Sequence, residues 1–228
     1  MRKALLTLLV LATGLQICLA QNCDQFINAA NGKKFVYDNV DGKGKSAGQL
    51  TFSTTKKDAS TVIYHSEMAD KNGKIISSGD SEVSCDGSAI NVDMRAFMPP
   101  HPGKQASNLQ ARVIGKSLIY PLNVSPGQSL PDGTAHIELS SDGHALSEQD
   151  INITNRKVDK QEIITTPAGS FDCMVISYDI AVKIKVVIGI NINMHVTEWF
   201  STKYGRFIKS ETYKAGKLMG TMQLVSVN

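Results

Sequence analysis

The chain is short of the residue types on which metal, cofactor and nucleotide chemistry depend. It holds one tryptophan, four cysteines and five histidines, and aromatics make up only 6% of it. No two histidines stand four apart, and neither C-x-x-C nor H-E-x-x-H occurs, so the ligand spacings of zinc sites are missing and no metal or cofactor is expected. Gly44-Lys45-Ser46 and Gly115-Lys116-Ser117 end like phosphate-binding loops, but Asn39 and Gln110 stand where the first glycine belongs. No G-x-S-x-G nucleophile elbow is present. No Lys/Arg block exceeds two residues and charges are interspersed, so nothing in the sequence supports a nucleic-acid or an acidic-membrane surface. No stretch of 18 uninterrupted apolar residues occurs, so no transmembrane segment is expected. Capped helical patterns are almost absent after the first twenty residues. The soft candidate Asp24–Ala30 reads as too short to matter.

What is present begins at the start. Arg2-Lys3, the apolar run Ala4–Ala12 and the small residue Ala20 read as a basic region, a hydrophobic region and a cleavage position. Residues 1–20 are therefore expected to be a cleaved signal peptide, and 21–228 a single β-rich domain. Cleavage would remove two of the 24 basic residues, leaving 22 against 21 acidic ones, a net charge near +1. The expected location is the periplasm or the extracellular side, including a peripheral position at the outer membrane. Neither Cys18 nor Cys23 follows a good lipobox. Of the three remaining cysteines, Cys173 sits in an apolar strand and reads as an inert buried thiol. A Cys23–Cys85 bridge is favoured in an oxidising compartment; the alternative is three reduced thiols.

From residue 33 onward the text reads strand, turn, strand. Asp86-Gly87 between two strand-like runs is a hairpin signal, and Pro99-Pro100-His101-Pro102 interrupts the pattern. Ile151–Arg156 and Gln161–Thr165 read as separate short strands. From Ile180 to Val196 every even position is apolar, the mark of a sheet with one wet face and one dry. A single strand of that length would run about 65 Å, so a reversal near Val187-Ile188-Gly189 is expected. The preserved parity requires an odd loop, of three or five residues. The fold class expected is all-β: a curved antiparallel sheet or half-barrel, with or without a second small sheet closing it.

Two stretches carry a family resemblance. Thr165–Cys173, TTPAGSFDC, resembles the TPAGTFDC segment of the TapB-like proteins, an exported, uncharacterised family common in Bacteroidetes. Glu198–Glu211 resembles that family's EWYAPGVGLVKSE segment, and Gly216–Gly220 continues it. Ser201-Thr202-Lys203-Tyr204 replaces the usual Ala-Pro-Gly-Val turn. The resemblance implies curved antiparallel sheets similar to the half-barrels of lipoprotein carriers. It supplies no catalytic residues.

The function expected is non-enzymatic binding of an apolar small molecule, a lipid or an envelope partner's apolar segment. The candidate contact residues are Ile184, Val186, Ile188 and Ile190, with Trp199 as an aromatic anchor or, alternatively, a core residue closing the sheet. A structural or assembly protein of the envelope is the first alternative. A hydrolase with a dispersed site, drawing on the polar cluster Asp142, His144, Glu148 and Asp150, is the second.

Overall fold

The computed structural model describes residues 17–97, 109–141, 144–185 and 189–228. One helix, α1 (Ile17–Ala30), precedes the strands β1 (Lys34–Asp41), β2 (Ser46–Lys56), β3 (Thr61–Ala69), β4 (Ile75–Cys85) and β5 (Ala89–Val92). A 3-10 turn at Met94–Phe97 follows. Then come β6 (Leu109–Gly115), β7 (Leu118–Pro121), β8 (Gly133–Ser141), β9 (His144–Thr166), β10 (Gly169–Lys185), β11 (Ile190–Ser201), β12 (Arg206–Lys214) and β13 (Lys217–Val227). All thirteen belong to one antiparallel sheet in the order β6-β8-β9-β10-β11-β12-β13-β1-β2-β3-β4-β5-β7. The described residues therefore form the expected curved all-β sheet without a second one.

The strand order dictates the curvature. β6 and β7 occupy opposite edges, yet only Lys116 and Ser117 separate them in the chain. The sheet must roll until its two edges meet at one corner, although no ladder joins them and it stays open. Its middle is a junction of the two ends of the domain. β1 pairs with β13, Phe35 lies opposite Val227, and the backbones of Lys34 and Asn228 exchange hydrogen bonds of 3.0 and 3.1 Å.

α1 plugs one end of the roll. Phe26, Ile27 and Ala30 are buried, and Cys23 packs against the same core. Positions 23, 26, 27 and 30 form one helical stripe, so this short segment matters to the fold, contrary to the sequence expectation. Its length comes from Ile17 onward, beyond the seven residues that looked helical. Gly32, at φ +71°, ends it in the left-handed conformation a helix terminus favours. The Thr54 hydroxyl then accepts from the Lys33 amide at 2.9 Å, and the Asn31 side chain accepts from the Lys56 amide at 2.9 Å. A Cys23–Cys85 disulfide ties α1 to the end of β4, with Cα atoms 5.5 Å apart. Cys173 is free and buried, and burial pushes its thiol up to about 12.

β9 replaces the two short strands expected there with a single strand of 23 residues. It stays inside a small domain because it bulges. Asn155 and Arg156 together face the single residue Tyr178, between the pairs Thr154–Asp179 and Lys157–Ser177. Asn155 takes φ +56°, and its amide donates to the Asp179 carboxylate at 2.8 Å. Such an insertion bends a strand and re-aims a side chain; here that side chain is Arg156. The β10–β11 reversal falls where expected: Ile184 pairs with Ile190, leaving the five positions 185–189 between them and keeping parity.

Candidate functional site

Two regions share the inner face of the rolled sheet. Near α1 the interior is closed. Tyr178, Val196, Glu198 and Phe200 are buried, each on the even face of β10 or β11. Toward the other end the same face continues as the cross-strand pairs Ile180–Met194, Val182–Ile192 and Ile184–Ile190. There the burial fades: Ile180, Val182, Ile184, Ile192 and Met194 are half-buried, and Ile190 is 49% exposed. Ile153, Ile151 and Gln149 of β9 stand opposite Ile180, Val182 and Ile184. The result is an apolar strip on two strands, about 5 Å wide and about 14 Å long, bordered by the buried β9 residues Ile153, Ile151 and Gln149. It leaves the core half-buried and is most exposed at Ile190.

The structure treats the anticipated contact residues differently. Ile184 and Ile190 come together as the last pair of the hairpin. Val186 and Ile188 lie outside the described residues. Trp199 does not join them. Its neighbours Glu198 and Phe200 face inward, so its ring lies on the opposite face. There its Nε1 donates to Glu162 at 2.8 Å, and the Lys209 ammonium stands 4.5 Å from the ring centre.

The closed region holds a charged network that sequence reasoning missed. Arg156 is 1% exposed. Its Nη1 donates to the carbonyls of Ile119 and Pro131 at 2.9 and 2.7 Å, and its guanidinium lies 4.7 Å from the Tyr120 ring centre. Tyr120 stacks on Phe200, with centroids 3.8 Å apart. The Tyr178 hydroxyl donates to Glu198 at 2.9 Å. Burial pushes the Glu198 carboxyl above its usual range, and the hydroxyls of Tyr178 and Tyr120 and the charge of Arg156 only partly offset this. A second guanidinium, Arg206, sits in an aromatic cage. Phe52, Phe35 and Tyr37 lie 3.7, 4.7 and 4.8 Å from it, with Tyr64 and Phe207 beyond. Its Nε donates to the Tyr37 hydroxyl at 2.6 Å, and burial raises that phenol to about 12.

Four buried atoms, Nε and Nη2 of Arg156, Oε1 of Glu198 and Nη1 of Arg206, have no hydrogen-bond partner among the described residues. Buried charges are costly unless paired. The charged groups of this network are buried inside the roll. Glu198 had one legible signal: it holds an even position, in line with the apolar residues of β11. Arg156 had none, because its inward aim depends on the bulge.

The outer face is polar. Three histidines pair across strands with aspartates: His65 with Asp80, His136 with Asp150 and His195 with Asp179, at 2.7, 2.7 and 2.9 Å. The other ring nitrogen of His136 faces Glu138 at 3.7 Å and that of His65 faces Glu67 at 4.0 Å, so carboxylates flank these rings on both sides. Of the cluster read as a dispersed hydrolytic site, Asp142 lies outside the described residues and His144 is exposed. Glu148 and Asp150 hold the Lys185 ammonium at 3.2 and 3.4 Å. No group of three or more metal-ligating side chains occurs among the described residues.

Solved structures with a similar fold include the following two. A candidate exported protein of Bacteroides fragilis with a YmcC-like fold is 20% identical, with a TM-score of 0.70 over 87% of this chain and 96% of that chain. A candidate lipoprotein of Parabacteroides distasonis is 21% identical, with a TM-score of 0.71 over 88% of this chain and 96% of that one. Likeness at these identities shows a shared fold. No curated protein matches the sequence. The narrower TapB-like designation does not reappear in these comparisons. A family model described as DUF3108-like matches residues 30–224, nearly the whole rolled sheet, and the chain belongs to that family.

Proposed function

We propose that the protein is an exported, non-enzymatic binding module of the cell envelope whose inner strip holds an apolar ligand such as an acyl chain. One observation carries this: the even face of β10 and β11 runs out of the core and stays half-exposed through Ile180, Val182, Ile184, Ile190, Ile192 and Met194. Leaving a contiguous apolar surface in water is unfavourable by roughly 25 cal/mol per Å², and such surfaces mark binding sites. The leader-like residues 1–20 support export. So do the two fold relatives, described as a candidate exported protein and a candidate lipoprotein.

A fluorescent fatty acid titrated into the purified protein tests the reading. Saturable binding is expected, weakened at least tenfold by Val182→Asp or Ile184→Asp. Ile163→Asp, at a 73% exposed position away from the strip, should bind as the parent does. Non-saturable binding, or equal affinity in all variants, would sink the idea. A second reading, assembly through a sheet edge, is supported by β6, which among the described residues pairs only with β8. It predicts a bare protein that captures one envelope partner.

A further inference from the structure

Five hairpins, β1–β2, β3–β4, β8–β9, β10–β11 and β12–β13, turn at the same end of the roll, opposite α1. They follow one another along an arc of about 40 Å, nine strand spacings. Most of the large exposed apolar side chains gather beside these turns: Ile75 at 50% exposure, Ile76 at 39%, Leu146 at 56%, Ile190 at 49% and Met219 at 48%. Lysines gather there as well. Lys43 and Lys45, Lys71 and Lys74, and Lys214 and Lys217 come from three separate turns and are all exposed. The ion pairs of the described residues involve other basic side chains.

Two of these three lysine turns also carry a carboxylate, held ionised chiefly by backbone amides, so two lysines accompany each acidic group. Asp41 accepts from the backbone amides of Lys43 and Lys45, both at 2.9 Å. Asp70 accepts from those of Asn72 and Lys74 at 2.8 and 3.0 Å. Lys214 and Lys217 are direct cross-strand partners. Like charges opposite each other destabilise a ladder, so an anion placed at this pair would relieve the repulsion. The β12–β13 turn also abuts the β1–β2 turn, where a Cβ at Gly42 would meet the Leu218 carbonyl oxygen.

We propose that this rim docks on the surface of an anionic lipid bilayer. The lysines meet headgroup phosphates, and the apolar tips enter the headgroup–acyl boundary. Tips about 10 Å apart, three of them carrying lysines, suit a planar surface that is charged outside and apolar just beneath. They do not form the continuous core of a protein–protein interface. The proposal stands whether or not the inner strip holds a ligand, although that strip opens on this rim at Ile184 and Ile190.

The test is co-sedimentation of the protein, as recovered from the envelope, with vesicles of phosphatidylcholine alone or containing one third phosphatidylglycerol. Binding is expected only to the anionic vesicles, falling steeply between 50 and 500 mM salt. Lys214→Glu/Lys217→Glu should weaken it at least tenfold, and Ile75→Ser/Ile76→Ser/Met219→Ser at least fivefold. Lys56→Glu/Lys203→Glu, at the α1 end, should leave it unchanged. Equal binding to both vesicle types, or equal loss in the α1-end variant, overturns the proposal. So does loss with the lysine variant but none with the apolar one, which would mean recognition of charge alone. Every substituted side chain is exposed apart from the opposing partner contacts of the ladder, and a retained urea midpoint will confirm folding.

Discussion

Gly205 and Glu198 carry consequences far beyond their size. Gly205 sits at φ +61°, and a Cβ there would lie 2.4 Å from the Phe26 ring of α1. Gly205→Ala therefore combines left-handed strain with a clash against a packed aromatic. A loss of about 2–4 kcal/mol is expected from those two effects, read as a lower urea midpoint with an unchanged slope. Glu198 is raised in the folded protein by burial, so the native state holds its proton more tightly than the unfolded chain does. Its contribution is fully present below the ordinary carboxylate value of 4.5 and is lost as pH rises through the folded value. Other carboxylates run the opposite way. Asp150 and Asp179 are lowered by hydrogen bonds, from His136 and from Asn155 respectively. The comparison must therefore be differential: the stability of Glu198→Gln minus that of the parent should grow as pH rises from 4 to 8, by denaturant titration. A constant difference would mean that Glu198 is not the titrating group.

Among the elements, α1 depends most on a single bond. The Cys23–Cys85 disulfide closes a span of 62 residues, for which loop entropy predicts about 4 kcal/mol. Cys23→Ser/Cys85→Ser should lose most of that. It should also free α1 to exchange its amides faster than the strands, by hydrogen exchange. The element scale is also where the sequence was most readable. Residues 180–196 announced a hairpin with one dry face because period two survives whatever lies on the other side. Asp86-Gly87 marked a turn by local chemistry. α1 was underestimated because its stripe, Cys23, Phe26, Ile27 and Ala30, has meaning only once a sheet end exists for it to plug. The inward aim of Arg156 was illegible because it depends on two residues facing Tyr178, a fact of pairing and not of composition.

At the scale of the whole molecule, the rim shows what chain order conceals. Lys43, Lys74 and Lys217 look scattered along a nearly neutral chain, and only the placement of β1 beside β13 gathers them. The same placement makes the fold a joint between two halves, one running from β6 to β13 and the other from β1 to β7. Removing residues 215–228 should therefore abolish cooperative unfolding and not trim it. A truncated chain with a sigmoidal urea transition of undiminished slope would contradict this.

That joint also sets a clock. Between the synthesis of β1 and that of β13 the ribosome must add nearly the whole sheet, about 10–40 s at typical synthesis rates. For all of that time the central edge of β1 waits without its partner. The pairing that joins the two halves is thus the last to become available, and the halves must fold separately or wait for it.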